Sequence, residues 1–187
     1  MKSFNAKPWF LPQPVIIIGT YNEDGTPNAM NAAWAGTWDD DEIMISMGNH
    51  QTTLNLNACP EFTVAFATAD TMVAADYVGI VSGRKTKNKV ETTGWKVKKA
   101  PMVNAPLFTD FPMTMECKIV RKLDESPTGY YIIAKIVNID IDECYLAADG
   151  KPDVEKMKLI TFDPIHLSYL QMGPCVGKAF SEGKKLK

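Results

Sequence analysis

An apolar run, a turn signal and a run of small residues follow one another near the N-terminus and constrain the fold more than any other feature. Residues 15–18, Val-Ile-Ile-Ile, are β-branched and apolar, which is typical of a buried strand. Asp24-Gly25 supplies the positive φ that a tight hairpin needs. The second arm, residues 28–38, alternates small residues with two tryptophans and carries two asparagines. The sequence therefore predicts a hairpin whose second arm runs as far as Trp38.

Residues 28–38 also form the first candidate binding surface. Small side chains let a flat molecule approach the main chain closely, and the main-chain amides, Asn28 and Asn31 can bond to its edge. A planar heterocycle with polar edges would fit such a surface. The alternative is a strand of small residues against which a helix packs. The pattern alone leaves both interpretations open.

The rest of the chain alternates strand patterns with short helix patterns. Residues 61–67 alternate on a period of two, which predicts a strand, and residues 72–81 predict a helix capped by Asp70 or Thr71. Other strands are predicted at residues 42–47, 113–123, 130–144 and 159–162, with a helix ending at Ala58, a loop over residues 92–112 and a turn over residues 124–129. Many strands and hairpin connections predict a mainly β fold with an antiparallel sheet that closes on itself.

Length and composition place these elements in one domain. The chain has 187 residues, 45% hydrophobic and 22% charged, and no repeat or linker divides it, so we expect a single domain over residues 1–187. The formal net charge of −2 argues against a nucleic-acid-binding protein. No apolar run approaches the roughly 20 residues that cross a bilayer, and the N-terminus lacks the apolar segment of a signal peptide. We therefore expect a cytoplasmic protein without a membrane partner.

The cysteines and histidines are too scattered for a metal site. The four cysteines form no Cys-x-x-Cys pair, and the two histidines, at positions 50 and 166, lie far apart in the sequence. We expect no bound metal, and free thiols in a reducing compartment.

Two polar segments form a candidate phosphate site. Residues 48–53 follow a strand and begin a helix, whose unpaired N–H groups and threonine hydroxyls attract anions. Residues 82–89 contain a hydroxyl, a glycine amide and four cations. If the two segments meet, they form a phosphate clamp of neutral donors and positive charge. The alternative is a capped helix and a separate solvated loop.

Motifs of the common nucleotide-binding and hydrolase folds are missing from the sequence. No Gly-x-Gly-x-x-Gly follows a strand, and there is no Walker-type loop and no Gly-x-Ser-x-Gly elbow. The sequence therefore contains no nucleotide-binding Rossmann unit.

Several short motifs occur in the order and spacing of one known family. They are Gly19-Thr20-Tyr21, residues 28–34, Thr52-Thr53, residues 61–64, residues 75–79 leading to Ser82-Gly83, and Tyr169 followed by residues 176–180. On these motifs, from about Pro14 to Phe180, the chain resembles the flavin reductase-like proteins with the FMN-binding split barrel, the flavoredoxin family.

The resemblance implies an antiparallel split β-barrel of Greek-key type with a few short helices, which forms a homodimer and binds FMN near the subunit interface. Along the isoalloxazine ring it implies Asn28, Ala29, Met30, Ala33 and Trp34. From the ring to the phosphate it implies Ser46, Met47, Gly48, Asn49, Thr52 and Thr53, and on the phosphate side Ser82, Gly83 and Lys89. No catalytic side chain is expected, because the flavin N5 carries the chemistry.

One departure from the family pattern concerns the phosphate. Many of these reductases carry an arginine in the loop after the third strand, where this chain has Gly-Asn-His-Gln at residues 48–51. The phosphate is then left to Thr52, Thr53 and Lys89, and the role of His50 stays open. Tyr169 and Phe180 are expected to complete the barrel and the dimer rather than to touch the flavin.

Three functions from different classes are consistent with this sequence. The first is an enzyme that passes hydride from NAD(P)H through FMN to free flavin, a ferric chelate or a protein; with no Rossmann unit, the nicotinamide would stack on the exposed flavin face. The second is an electron-transfer protein of the flavoredoxin type, which receives electrons from a redox protein and has no nicotinamide site. The third is a binding module that has lost the flavin. The intact residues 28–34 and the threonine pair argue against the third.

Overall fold

The predicted hairpin forms the start of the main sheet. The computed structural model describes residues 1–126 and 129–186. Strand β2 (Ile16–Tyr21) pairs antiparallel with β3 (Pro27–Ala32), and Gly19 lies opposite Ala29. Gly25 has a φ of 80° in the turn between them, a conformation that favours glycine. The hairpin prediction is confirmed for this first part of the second arm.

Twelve strands, three α-helices and two 3-10 helices make up the regular structure of the described residues. The other strands are β1 (Gln13–Pro14), β4 (Ala35–Asp39), β5 (Glu42–Gly48), β6 (Glu61–Phe66), β7 (Val97–Lys99), β8 (Pro106–Phe108), β9 (Met113–Ser126), β10 (Gly129–Ile141), β11 (Ile160–Asp163) and β12 (Ser168–Gln171). The helices are α1 (Gln51–Ala58), α2 (Met72–Ile80) and α3 (Lys89–Thr93), with 3-10 helices at Glu143–Tyr145 and Glu182–Leu186.

The main sheet has seven strands in the order β3-β2-β6-β9-β10-β5-β4, all paired antiparallel. Its two edge strands, β3 and β4, are consecutive in the chain and only Ala33 and Trp34 separate them. Since two residues cannot cross the width of a seven-stranded sheet, the sheet curls until its edges meet. The prediction of a mainly β, antiparallel split barrel is confirmed.

The predicted second arm of the hairpin, residues 28–38, is wrong as one continuous strand. The chain leaves β3 after Ala32, and from Ala35 it pairs with β5 instead of β2. The amide of Ser46 donates to the carbonyl of Trp34 at the crossing point. The run of small residues is therefore divided between β3 and β4, the two edge strands of the sheet. A pattern of period two does not show that the chain passes from one edge strand to the other.

Alternate residues of the strands supply two hydrophobic layers. Ile16 and Ile18 point into the barrel with Ile45, Phe62 and Ile132. Residues of the opposite face, such as Val15, Ile17 and Ala65, pack outside the barrel against α2, α3 and β11. This alternation follows the two-residue period of a strand. The outer layer holds α2 and α3 against the sheet.

Residues 92–112, predicted as a loop, contain the end of α3 and a short hairpin. Strands β7 and β8 pair over three residues, with Val97 opposite Phe108. These strands are too short and too rich in lysine and proline to show a periodic pattern, so the prediction missed them. The turn predicted at residues 124–129 includes Pro127 and Thr128, which lie outside the described residues.

None of the helices in residues 1–126 and 129–186 is long and apolar enough to cross a membrane. In the same residues no group of three or more histidine, cysteine, aspartate or glutamate side chains is arranged to hold a metal ion.

Candidate functional site

A cleft of about 620 Å³ runs beside strand β3 and lies between the barrel, helix α2 and the β11–β12 hairpin. Its volume is in the range of small-molecule and cofactor sites. Its lining residues come from residues 28–34 of β3 and the crossover, from residues 46–52 and from residues 76–84, together with Val15, Lys89, Phe162 and Tyr169.

The cleft runs along the edge of strand β3 that faces away from β2. Within the described part of the chain β3 pairs with β2 alone. The main-chain N–H and C=O groups of its second edge therefore have no strand partner and are available to a ligand with matching donors and acceptors. Because the cleft follows the edge, side chains from both faces of β3, Asn28 and Asn31, border the same cleft.

Asn28 joins β3 to the start of helix α1. Its Nδ2 donates to the hydroxyl of Thr52 at 2.9 Å and to that of Thr20 at 3.2 Å. Asn28 and Thr52 are both buried. A Cβ atom on Gly83 would lie 2.7 Å from Oδ1 of Asn28, so only glycine allows residues 82–84 to come this close. The two polar segments of the predicted phosphate clamp therefore do meet.

We call Asn28, Asn49, Thr52, Gly83 and Arg84 the polar cluster.

Arg84 lies on the cleft beside the turn that follows β5. Its Nη2 donates to Oδ1 of Asn49 at 2.5 Å and to the carbonyl of His50 at 3.5 Å. Residues 48–51 contain no arginine, and Arg84 from residues 82–89 lies against them. Sequence reasoning noted the cations of this segment but did not single out Arg84, because nothing in the sequence shows which of them faces the cleft.

Lys89 lines the cleft at the C-terminal end of helix α2. Its Nζ donates to the carbonyls of Val78 and Val81, each at 2.8 Å, where α2 ends, and the residue is only 3% exposed. A cation at a helix C-terminus is stabilised by the helix dipole. Burial nevertheless lowers the pKa of Lys89 from 10.5 to about 8. Lys89 therefore has a structural role besides any contact with a ligand.

Thr53 and His50 shape the turn between β5 and α1. The hydroxyl of Thr53 donates to the carbonyl of Gly48 at 2.5 Å and accepts from the amide of His50 at 3.3 Å. The His50 ring lies against Gly48, where a Cβ atom would be 2.6 Å from Nε2. Burial lowers the pKa of His50, and the charges of Arg84 and Lys89 lower it further, so the imidazole is neutral at pH 7. His50 lines the cleft as a neutral group.

Aromatic side chains line another part of the cleft. Phe162 of β11 lies between Trp34 and Tyr169, with ring centroids 6.2 Å and 6.1 Å away. The Tyr169 hydroxyl donates to Oδ1 of Asp76 on α2 at 2.7 Å, and the neighbouring Asn31 donates from Nδ2 to the carbonyl of Ala75 at 3.0 Å. We call Trp34, Asp76, Phe162 and Tyr169 the aromatic cluster. Tyr169, expected only to complete the fold, lies on the cleft.

Most of the predicted site residues lie on this cleft: Asn28, Met30, Ala33, Trp34, Ser46, Gly48, Asn49, Thr52, Ser82, Gly83 and Lys89. The other three, Ala29, Met47 and Thr53, are not among its lining residues, since Ala29 and Met47 point into the hydrophobic layers and Thr53 into the turn. Which of these residues contact a cofactor stays a prediction.

Comparisons with known proteins agree with this architecture. The family model of the flavin reductase like domain matches residues 10–154, and the chain belongs to that family. The structure is similar to flavoredoxin of Desulfovibrio vulgaris (Miyazaki F), with 31% identity, a TM-score of 0.91 and coverage of 98% of this chain and 99% of that one. Flavoredoxin from Methanosarcina acetivorans has 27% identity, a TM-score of 0.89 and complete coverage of both chains.

A more distant structure shares the fold alone. The FMN-binding protein from Thermus thermophilus has 16% identity and a TM-score of 0.77, with coverage of 95% of this chain and 99% of that one. A search of curated protein sequences gave no match.

The donor set of the cleft fits a flavin mononucleotide. Hydroxyl, amide and cationic groups in the polar cluster suit a phosphate, and the open edge of β3 with its small side chains suits the flat, polar-edged ring. Asn28 and Asn31 are three residues apart, about 10 Å along a strand. The phosphate and the ring can therefore be bound by different parts of one cleft.

Proposed function

We propose that the chain binds FMN in this cleft, with the phosphate at the polar cluster and the isoalloxazine ring along β3. The observation that carries the proposal is the unpaired edge of β3 beside a cluster of phosphate-binding groups. The flavoredoxin structures, one of them 31% identical over nearly the whole chain, support it.

The chain's own residues would bind and orient the cofactor. Bound FMN supplies hydride and electron transfer chemistry at its ring. Arg84 and Lys89 hold positive charge near the phosphate, and Asn28 fixes the Thr52 hydroxyl beside it. The main-chain groups of β3 give the ring edge its hydrogen bonds. Apart from these binding groups, no acid, base or nucleophile is required.

Binding is tested by incubating the purified protein with FMN. At a ligand concentration about 100 times the dissociation constant, the free energy of unfolding should rise by about 2.7 kcal/mol, and the protein should turn yellow. The released chromophore should be the mononucleotide. Colourless protein whose melting temperature does not change with FMN would contradict the proposal.

We further propose an NAD(P)H-dependent oxidoreductase that passes electrons through FMN to free flavin, a ferric chelate or a protein. In this proposal the nicotinamide stacks directly on the exposed face of the bound flavin. Nicotinamide affinity should be weak, because no Rossmann unit binds the rest of the dinucleotide. Anaerobic stopped-flow mixing of the FMN-loaded protein with NADH or NADPH tests this, and bleaching of the flavin absorbance is the expected result.

The second candidate is an electron carrier of the flavoredoxin type, and the two flavoredoxin structures favour it specifically. In that case neither nicotinamide bleaches the flavin, whereas a reduced ferredoxin-type protein does. The same stopped-flow experiment with both donors therefore decides between the two functions.

We also propose that the active form is a homodimer. Large apolar side chains lie exposed in both terminal segments and near the cleft, among them Phe10 at 75%, Trp34 at 53% and Phe180 at 101% exposure. A dimer interface would remove such large apolar side chains from water. Light scattering that gives a mass near 20.7 kDa at micromolar concentration would contradict the dimer.

The location that fits this function is the cytoplasm. Cys59, Cys117, Cys144 and Cys175 are all free in the structure. Unpaired cysteines, two of them exposed, are typical of a reducing compartment. Fractionation of the native cells, with an antibody against the chain, tests this location.

A further inference from the structure

Among the described residues that line the cleft, Asp76 is the only carboxylate. The other charged lining residues are Arg84 and Lys89, which lie with the residues proposed to bind the phosphate. Asp76 lies instead in the aromatic cluster, and the ring would lie beside this cluster if the phosphate is at the polar cluster. A negative charge in that position is not needed for binding FMN.

The carboxylate of Asp76 is held in place but its charge is not neutralised. The Tyr169 hydroxyl donates to Oδ1 of Asp76 at 2.7 Å. No lysine, arginine or histidine in residues 1–126 and 129–186 forms an ion pair with it. Tyr169 is itself fixed by the packing of its ring on Phe162 and by the pairing of β12 with β11. The carboxylate of Asp76 therefore has a defined position on the cleft wall.

Tyr169 acts as a hydrogen-bond donor over the whole physiological range of pH. Burial raises its pKa to about 12, and the hydrogen bond and charge of Asp76 contribute to the increase. The phenol therefore stays protonated and cannot release Asp76 by losing its proton. This bond distinguishes Asp76 from a surface carboxylate, which would move freely and be screened by salt.

We propose that Asp76, positioned by Tyr169, lowers the reduction potential of the flavin bound in the cleft. The inference rests on the proposed function, in which FMN occupies this cleft. Reduction by two electrons with uptake of one proton adds one negative charge to the ring, and the electrons come from the nicotinamide or the reduced redox protein proposed above. A fixed carboxylate repels this added charge, so Asp76 weakens the binding of reduced FMN relative to oxidised FMN.

The direct test replaces the charge with a neutral group of the same shape. Asp76→Asn should raise the affinity for reduced relative to oxidised FMN by about tenfold, which for a two-electron couple is a rise of about 30 mV in midpoint potential. The potential is measured by anaerobic titration of the FMN-loaded protein against indicator dyes. Should the asparagine variant not fold, Asp76→Ser is a second neutral variant with the same expected direction.

Two further variants separate position from charge. Tyr169→Phe leaves the carboxylate of Asp76 in the protein but removes the hydrogen bond that holds it in position. The midpoint potential should therefore rise less in Tyr169→Phe than in Asp76→Asn. The matched control is Asp70→Asn, which removes an equally charged residue just before α2 that pairs with Lys158 at the surface and does not line the cleft. The control should leave the potential unchanged.

The outcomes distinguish this inference from the proposed function. Wild-type protein that binds no FMN would contradict both. A protein that binds FMN normally, but whose potential is the same with Asp76→Asn and with wild type, would overturn this inference and leave the proposed function intact. A shift of equal size in Asp70→Asn would also overturn it, because the effect would then be that of net charge alone.

Discussion

The polar cluster and the aromatic cluster of the cleft are built in different ways. Most of the polar cluster comes from two regions: Asn49 in the turn after β5 with Thr52 in the first turn of α1, and residues 82–84 shortly after the end of α2. The aromatic cluster brings together Trp34 from the crossover between β3 and β4, Asp76 from α2, and two residues of the β11–β12 hairpin. Hydrogen bonds hold the first cluster, whereas ring packing together with the hydrogen bond from Tyr169 to Asp76 holds the second.

This difference has a consequence for ligand recognition. FMN and riboflavin share the ring and differ by a phosphate with about −1.5 to −2 charges. Residues of the polar cluster should therefore discriminate between the two ligands, whereas residues of the aromatic cluster should affect both equally. Measuring both ligands by flavin fluorescence quenching on each variant tests this comparison.

The largest effect is expected for Lys89→Met, which keeps the aliphatic stem but loses the ammonium group. The carbonyls of Val78 and Val81 lose their buried partner, so the FMN-free protein should lose about 1–3 kcal/mol of stability. A lost charged hydrogen bond to phosphate, worth about 1.5–3 kcal/mol, should also weaken FMN about ten- to a hundredfold. Riboflavin affinity should change little. An equal loss for both ligands would show that Lys89 supports α2 without touching the phosphate.

The pH dependence of wild type and Lys89→Met sharpens this result. Burial lowers the pKa of Lys89 to about 8, whereas the unfolded chain keeps the proton up to about 10.5. Between these pH values the unfolded state binds more protons, so the contribution of Lys89 to the free energy of unfolding rises with pH. FMN affinity should change in the opposite direction and fall above about pH 8, because the ammonium loses its charge. Neither trend should remain in Lys89→Met, which chemical denaturation and FMN titration across this range can check.

Arg84→Ala should give the next largest effect, about a tenfold loss of FMN affinity. Arg84 is more exposed than Lys89, so salt screens its charge and the loss should shrink as ionic strength rises. The matched control is Lys85→Ala, which removes the same charge from the neighbouring position of the same segment but does not line the cleft. Equal losses in the two variants would mean that the phosphate responds only to net charge.

How far the sequence predicts each cluster follows from how each is built. Thr52 could be named from the local signature of a helix start after a strand, and Gly83 and Lys89 from the family resemblance. Phe162 and Tyr169 could not, since an aromatic residue in a short strand is equally typical of a core. The same limit explains the crossover at Ala33 and Trp34, because no local pattern shows that a strand continues on the opposite edge of a barrel. The sequence also did not show in which direction each side chain points. Ala29, Met47 and Thr53 were predicted at the site, but their side chains point away from the cleft.

Phe162→Leu tests the aromatic cluster. The leucine retains apolar volume but loses the ring contacts with Trp34 and Tyr169, each worth about 0.5–1.5 kcal/mol. We expect about a two- to tenfold loss of affinity, of the same size for FMN and riboflavin. A loss confined to FMN would contradict the assignment of the ring to this part of the cleft.

The smallest difference in FMN affinity is expected between valine variants of the adjacent residues Thr52 and Thr53. It tests whether one particular hydroxyl of the polar cluster binds the phosphate. The Thr52 hydroxyl lies on the cleft and accepts from Asn28, whereas the Thr53 hydroxyl is turned away and donates to the carbonyl of Gly48. Thr52→Val removes one neutral hydrogen bond to the phosphate, worth about 0.5–1.5 kcal/mol, and should weaken FMN about two- to tenfold with riboflavin unchanged.

Thr53→Val removes the bond that holds the turn between β5 and α1, so any loss should be equal for the two ligands and accompanied by a lower melting temperature. Because the two variants have the same composition and differ by one position, their comparison removes general effects of valine in a helix. If Thr53→Val instead harmed FMN alone, the hydroxyl would have to leave Gly48 when the phosphate binds. The turn after β5 would then change its conformation on binding FMN.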